Sequence, residues 1–118
     1  MSGGMIRYRQ GADFERRVRR ALEAAGWDTS RSAGSHDDAD IIAVGPKPEA
    51  KGIRARVVLL QCRRAGKTSP AERAEWTHRW RQRVEFYVVR RRGTRNSQIV
   101  VRDLFNWLQG WERLDDVL

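Results

Sequence analysis

The sequence feature that most constrains the fold is a short run, Val57-Val58-Leu59-Leu60, in which every side chain is apolar. Alternate side chains of a strand point to opposite faces of a sheet, so such a strand is buried on both faces. We therefore expect residues 54–61 to form the central strand of a sheet that is covered on both sides. The chain has 118 residues, which is enough for one domain.

Two helices are predicted from local signals. Apolar residues recur at helical spacing after Asp13, a good N-cap, and the pattern predicts a helix over residues 13–25, preceded by a loose basic arm over residues 1–10. Ser69, Pro70 and Glu72 form a capping-box pattern, which predicts the start of a second helix. Its apolar stripe includes Trp76 and Trp80, and we expect both to pack against the sheet.

The remaining elements are strands and one short helix. Runs of apolar and β-branched residues predict strands over residues 27–33, 39–44, 85–91 and 98–102, with a hairpin turn at 93–97. The last stretch, 103–118, is expected to form a short helix ending near Gly110. Trp107 and Trp111 within it could cover the sheet edge or form a dimer seam. The predicted order is α-β-β-β-α-β-β, an α/β or α+β domain with a mixed sheet, whose core spans residues 11–102 of a single domain, 1–118.

The charge of the chain indicates its class of partner. Lys and Arg total 24 against 15 Asp and Glu, a net charge of +9, and only three of the basic residues are lysines. Arginine binds phosphate in a bidentate manner, so the excess reads first as nucleic-acid binding. A ribosomal-type protein or a membrane-surface binder would share this charge. The single cysteine excludes an intrachain disulfide, and the first ten residues lack an apolar signal region, so we expect a cytoplasmic protein without a membrane span.

Four polar residues are candidates for chemistry. Glu15 lies at the edge of the apolar stripe of the first helix, Asp40 opens a strand, and Gln61 and Arg63 end the central strand on the same face. If the strands are neighbours, Asp40 and Gln61 could converge on one Mg²⁺ ion, which prefers oxygen ligands. Activation of a water for attack on a phosphodiester would then be possible. The alternative is that these residues are an ordinary first-turn carboxylate, a turn residue and a solvated strand end.

A zinc site is the other metal hypothesis that the composition raises. His36, Cys62 and His78 could supply ligands, but their spacing matches no structural zinc pattern. We therefore expect Cys62 to face a core, and His36 to be a loop residue or to lie near the magnesium cleft.

Several segments together resemble the archaeal-type and phage Holliday junction resolvases of the PD-(D/E)XK nuclease superfamily. They are collinear over roughly residues 11–90: Gly11-Ala12-Asp13-Phe14-Glu15-Arg16-Arg17-Val18, Gly26-Trp27, Arg31-Ser32-Ala33-Gly34-Ser35, Ala39-Asp40-Ile41-Ile42-Ala43 and Leu59-Leu60-Gln61-Cys62-Arg63. The resemblance implies a restriction-endonuclease-like core, in which a mixed central sheet is flanked by helices.

The resemblance also implies residue roles. Glu15 and Asp40 match metal-binding carboxylates, Ser35 matches a serine thought to touch the scissile region, Gln61 occupies the Glu/Gln place of the motif, and Arg63 the lysine place. Arginine is effectively never deprotonated. We therefore hypothesise weak or altered cleavage, or a rescue by Lys67 from the following loop.

Members of the resembled family are homodimers that nick four-way DNA junctions with Mg²⁺ or Mn²⁺. The resemblance therefore implies a homodimeric nuclease of a phage or prokaryote that uses one of these ions and no small-molecule cofactor. Basic residues near the site are the candidates for DNA contact: Arg16, Arg17, Arg20, Arg31, Arg64 and Lys67. The alternatives are a non-catalytic DNA-binding module on the same fold, a nuclease acting on linear duplex, and a small RNA-binding domain, for which no signature is present.

Overall fold

The architecture is a six-stranded mixed sheet with helices on both faces. The computed structural model describes residues 3–31, 39–45, 56–63, 67–95 and 97–118. In chain order the elements are α1 Gly3–Ala24, β1 Asp28–Arg31, β2 Ile41–Val44, β3 Val57–Cys62, α2 Pro70–Trp80, β4 Glu85–Arg92, β5 Gln98–Asp103, a 3₁₀ helix Leu104–Gln109, β6 Glu112–Arg113 and α3 Leu114–Val117. The predicted α/β class with a mixed sheet flanked by helices is thus confirmed.

Each strand pairs with the next along the chain, so the sheet order is β1-β2-β3-β4-β5-β6. The β3–β4 pair is parallel and the other pairs are antiparallel. A parallel connection needs a crossover, and α2 supplies it. The expectation of a doubly buried central strand is confirmed, because Val58, Leu59 and Leu60 are all buried and β3 has a neighbour on each side.

The sheet separates two apolar clusters. On one face the helix residues Phe14, Val18 and Leu22 of α1 pack against strand residues including Ile41 and Leu60. On the other face α2 and the 3₁₀ helix pack against β3 and β4, in a cluster that contains Leu59, Trp76, Phe86, Val88 and Leu104. Leu59 and Leu60 therefore point to opposite faces, as strand alternation requires.

The start of α2 follows the predicted capping box. The Ser69 hydroxyl accepts a hydrogen bond from the Glu72 backbone N–H at 3.1 Å, and Glu72 Oε1 accepts one from the Ser69 N–H at 3.3 Å. Pro70 occupies the first turn, where its missing N–H leaves no bond unmade. Within the helix Trp76 stacks on Phe86 with ring centroids 5.4 Å apart, so the predicted packing of this tryptophan on the sheet is confirmed.

The two ends of the chain differ from expectation. The predicted loose arm over residues 1–10 and the helix start at Asp13 are wrong, since α1 begins at Gly3. No proline interrupts residues 3–12, and the helix continues through Gly11. Asp13 instead forms an ion pair with Arg16 at 2.9 Å.

At the C-terminus a 3₁₀ helix ends at Gly110 with a positive φ of 84°. The prediction of a short helix near Gly110 was correct, but β6 and α3 were not predicted, and the observed order has a sixth strand. A two-residue strand is too short to leave a periodic signal in the sequence. Among the described residues, no helix combines the length and apolar character that crossing a bilayer requires.

Candidate metal and nucleic-acid site

The candidate site lies where β2 begins and β3 ends. Because these strands are antiparallel, with Ile41 opposite Leu60, the residue before β2 lies beside the end of β3. Asp40 is held there by two hydrogen bonds: its N–H donates to the Leu60 carbonyl at 2.9 Å, and its Oδ2 accepts from the Cys62 N–H at 2.8 Å. The side chain of Asp40 is thus anchored to the C-terminal end of the central strand.

Glu15 reaches the same region from α1. It follows the buried Phe14, and its side chain is 19% exposed and pairs with Arg31 Nε at 3.0 Å. Burial raises the pKa of Glu15, and repulsion from Asp40 raises it further, while Arg31 acts in the opposite direction. The charge of Asp40 thus acts on Glu15, in addition to the burial of Glu15 itself.

Burial also raises the pKa of Asp40, against the hydrogen bond from Cys62 and the charges of Arg63 and Arg31. Burial thus disfavours the charged form of both carboxylates, Glu15 and Asp40. A bound cation would stabilise that charged form.

Gln61, the third predicted ligand, lies at the end of β3, in the strand position opposite Asp40. Its Oε1 is buried and accepts no hydrogen bond within the described part of the chain. A buried acceptor without a hydrogen-bond partner destabilises the fold by about 1–3 kcal/mol, and a ligand bound to that oxygen would remove this cost. Amide oxygens are ligands that Mg²⁺ accepts. Glu15, Asp40 and Gln61 are each of a ligand type that a hard divalent cation accepts. Glu15, however, approaches from α1 on one face of the sheet, whereas Gln61 has the strand parity of the α2-side face.

Cys62 lies between the candidate ligands but is a poor ligand itself. Burial raises the pKa of its thiol well above the usual value, and the charges of Asp40 and Glu15 add to this. Cys62 packs against the α1-side cluster, as expected, while His78 is exposed on α2. His36 lies outside the described residues. Within the described ranges no group of three His, Cys, Asp or Glu side chains could hold a metal ion, so the structure shows such a group neither for zinc nor for magnesium there.

Arg63, in the place of the motif lysine, is bound to α2. Its NH2 nitrogen lies 2.6 Å from Glu72 Oε2, and its guanidinium carbon lies 5.5 Å from the centroid of the Trp76 ring. Burial is the largest single influence on Glu72 and acts to raise its pKa. The hydrogen bonds from Arg63 and Ser69 and the charge of Arg63 together outweigh it, so the pKa is lowered. Arg63 is thus held on the α2 side, and Gln61, two residues before it, shares the strand parity of Leu59 on that side.

The predicted DNA-contacting residues have different surroundings. Arg31 points to Glu15, so it belongs to the surroundings of the candidate metal site. Arg17 donates to the side chain and the carbonyl of Ser97 in the β4–β5 hairpin, which fixes α1 to that hairpin. Arg20 and Lys67 are exposed. Ser35 and Arg64 lie outside the described residues.

Sequence reasoning missed a group of stacked arginines. Arg73 of α2, Arg90 of β4 and Arg102 of β5 lie over the rings of Trp107 and Trp111. The i, i+4 spacing of the two tryptophans is visible in the sequence, but the arginines come from three separate elements. The two tryptophans pack against the α2-side cluster, which favours the sheet-covering role that was one of their two predicted alternatives.

Comparison with known proteins adds no relative. No protein-family model, curated protein or solved structure matches this chain.

Proposed function

We propose that this chain is a divalent-metal-dependent DNA endonuclease with a restriction-endonuclease-like core, and that it resolves four-way junctions as Holliday junction resolvases do. The observation that carries the proposal is the buried Oε1 of Gln61, which has no hydrogen-bond partner among the described residues, at the strand end where Asp40 is anchored. The arrangement of one helix, three antiparallel strands, a crossover helix and a parallel fourth strand supports it further. The net charge of +9 suits a phosphate-rich substrate.

Glu15, Asp40 and Gln61 would hold Mg²⁺ or Mn²⁺. When bound, the cation would lower the pKa of a water molecule and offset the negative charge of the scissile phosphate. The chain's own contribution is to fix the donors: Cys62 N–H orients the Asp40 carboxylate, and Arg31 orients that of Glu15.

Arg63 would offset charge on the phosphate but cannot act as a base, because a guanidinium stays protonated. Lys67, exposed four residues further on, is the nearest described lysine in sequence that could supply an ammonium group. Its recruitment is the rescue hypothesis stated above.

The decisive test of the metal role is Asp40→Asn. Asparagine keeps an oxygen that can accept the hydrogen bond from Cys62 N–H, but it removes the charge. We expect Mg²⁺-dependent nicking of a four-way junction to fall below detection, while junction binding in Ca²⁺ stays nearly unchanged. Glu23→Gln is the matched control, since Glu23 is an exposed carboxylate of α1 that pairs with Arg19. Equal loss of binding and nicking in Asp40→Asn would refute the assigned role.

Substrate class and assembly need separate measurements. Competition between a four-way junction and a linear duplex of the same sequence distinguishes a resolvase from a nuclease of linear DNA. Symmetric nicks on a two-fold junction call for two copies related by a two-fold axis, so we infer a homodimer. Sedimentation with and without junction DNA tests this inference.

A non-catalytic DNA-binding module on the same fold is the second candidate. The observation that favours it is the commitment of Arg63 to Glu72 and Trp76, which leaves the place of the motif lysine filled by a bound guanidinium. Incubation of the wild-type chain with junction DNA and Mn²⁺ separates the two candidates. Binding without nicking at any Mn²⁺ concentration would support the module.

A further inference from the structure

Three arginines lie on two tryptophans on the α2 side of the sheet. We call this group the Arg–Trp cluster; it consists of Arg73, Arg90, Arg102, Trp107 and Trp111. The guanidinium of Arg102 lies 4.0 Å from the centroid of Trp107 and 5.9 Å from that of Trp111. Arg73 lies 4.8 Å from Trp107, and Arg90 lies 4.3 Å from Trp111. Because each outer arginine shares a ring with Arg102, three positive charges are gathered on one surface.

This charge is not compensated within the described ranges. None of the three arginines forms an ion pair with a described carboxylate, and the Nε groups of Arg73 and Arg90 are buried without an acceptor there. Burial lowers the pKa of Arg102, and the charges of Arg73 and Arg90 lower it further. The arginines of the cluster therefore repel one another, and a bound anion would relieve this repulsion.

Of the three other arginines that stack on tryptophan within the described ranges, two, Arg56 and Arg63, show a contrast with the cluster, and Arg83 over Trp80 does not. Arg63 lies over Trp76 and pairs with Glu72, and Arg56 lies over Trp27 and pairs with Glu85 at 2.6 Å. Stacking on tryptophan in this fold thus occurs together with a carboxylate partner in these two cases. In the Arg–Trp cluster, by contrast, the charged neighbours of each stacked arginine are other arginines.

The cluster lies at the same end of the sheet as the candidate metal site. Gln61 pairs with Val88, and Val88 pairs with Arg102, so Gln61 and Arg102 occupy one row across three strands. Two strand spacings amount to about 10 Å. This is about the rise of three nucleotides along one strand of DNA. Arg63 N–H donates to the Val89 carbonyl at 2.8 Å, which brings the residue after β3 beside Arg90.

We propose that the Arg–Trp cluster is a second phosphate-binding site, which holds the phosphodiester backbone of DNA a few nucleotides from the strand end at Gln61. The indole rings fix the guanidinium planes and leave N–H edges for phosphate oxygens. Because arginines already cover faces of both rings, the tryptophans orient the arginines and do not stack on bases. The proposal deepens the proposed DNA-binding function and rests on it, but it does not require cleavage.

The first test is the double variant Arg73→Gln/Arg90→Gln, which leaves Arg102 and its hydrogen bond to the Trp107 carbonyl in place. Affinity for fluorescent four-way junction and linear duplex is measured in EDTA over a salt series. We expect affinity to fall about tenfold or more. The slope of log K against log salt should become shallower by about one for each lost phosphate contact.

Arg83→Gln is the matched control, because Arg83 also lies over a tryptophan of α2, Trp80, at 5.6 Å. Its expected effect on affinity and salt slope is small. An Arg73→Gln/Arg90→Gln variant that matches the control in both readouts would overturn the proposal.

A second measurement uses the wild-type chain and stays informative if the double variant does not fold. Arginines are modified with phenylglyoxal in EDTA, with and without junction DNA, and the modified sites are quantified by mass spectrometry. We expect DNA to slow modification of Arg90 and Arg102 several-fold and to leave Arg83 unaffected. Equal modification with and without DNA would overturn the proposal. So would protection by inorganic phosphate alone combined with unchanged DNA affinity of the double variant.

The outcomes separate this proposal from the proposed function. Protection of the cluster together with no nicking by the wild type would leave the second site standing and remove the nuclease assignment. Nicking that is lost in Asp40→Asn, together with an unprotected cluster, would do the reverse.

Discussion

Replacement of Gln61 by methionine tests the candidate metal site without any activity assay. Methionine has nearly the length and volume of glutamine but no amide. In the wild type, Oε1 is buried without a partner in the described part of the chain, which disfavours the fold by about 1–3 kcal/mol. Gln61 as a whole is only half-buried, so we take the lower end. We therefore expect Gln61→Met in EDTA to be more stable by about 1 kcal/mol, or about 4 °C in Tm.

Addition of metal should reverse this order. Manganese at a hundredfold excess over its Kd stabilises a folded protein by about 2.7 kcal/mol. Loss of one ligand weakens affinity by at least about tenfold, as changes even in the surrounding hydrogen bonds do. At the same Mn²⁺ concentration the gain in Gln61→Met should then be about 1.4 kcal/mol or less.

The assay is urea unfolding followed by circular dichroism, in EDTA and in a Mn²⁺ series. Gln98→Met is the control, since Gln98 is an exposed glutamine at the start of β5, and its free energy of unfolding should change by less than about 0.5 kcal/mol. A Gln61→Met variant that is less stable in EDTA, or that gains as much from Mn²⁺ as the wild type, would refute the reasoning.

Two further predictions concern the elements around the site. Arg63→Lys should raise Mn²⁺-dependent nicking of a four-way junction at least about tenfold, because lysine can exchange a proton and arginine cannot; single-turnover kinetics measure this, and no gain would mean that Arg63 already fills the role. Ser69→Ala should lower the free energy of unfolding by about 1 kcal/mol through loss of the α2 cap; an unchanged urea midpoint would contradict this.

The parts of the fold with local signals were predictable from sequence. Apolar residues of both parities at 57–60 sufficed for a central strand, and Ser69, Pro70 and Glu72 sufficed for the start of α2. The ends of the chain were not predictable in this way. Asp13 is a good N-cap residue and therefore indicated a helix start there, whereas α1 extends back to Gly3. β6 has only two residues, which is too few to produce a periodic pattern.

The candidate site was only partly accessible to sequence reasoning. The resemblance pairs Glu15 with Asp40, and the charge of Asp40 raises the pKa of Glu15. Arg63 pairs with Glu72, and Gln61 Oε1 has no partner among the described residues, because of how β3 packs against α2. The spacing of residues along the chain does not predict that packing. The Arg–Trp cluster depends on strand register in the same way.

Glu72 divides its two oxygens between different tasks, since Oε1 accepts from the N-cap of α2 and Oε2 binds Arg63. A phosphate that competes for the guanidinium of Arg63 must displace a carboxylate that also closes the first turn of the crossover helix. Binding of an anion at this end of β3 would therefore also change the start of α2, which follows the loop that contains Lys67. Substrate engagement and fraying of that turn are linked through one side chain, so each would shift the other's equilibrium by the same factor.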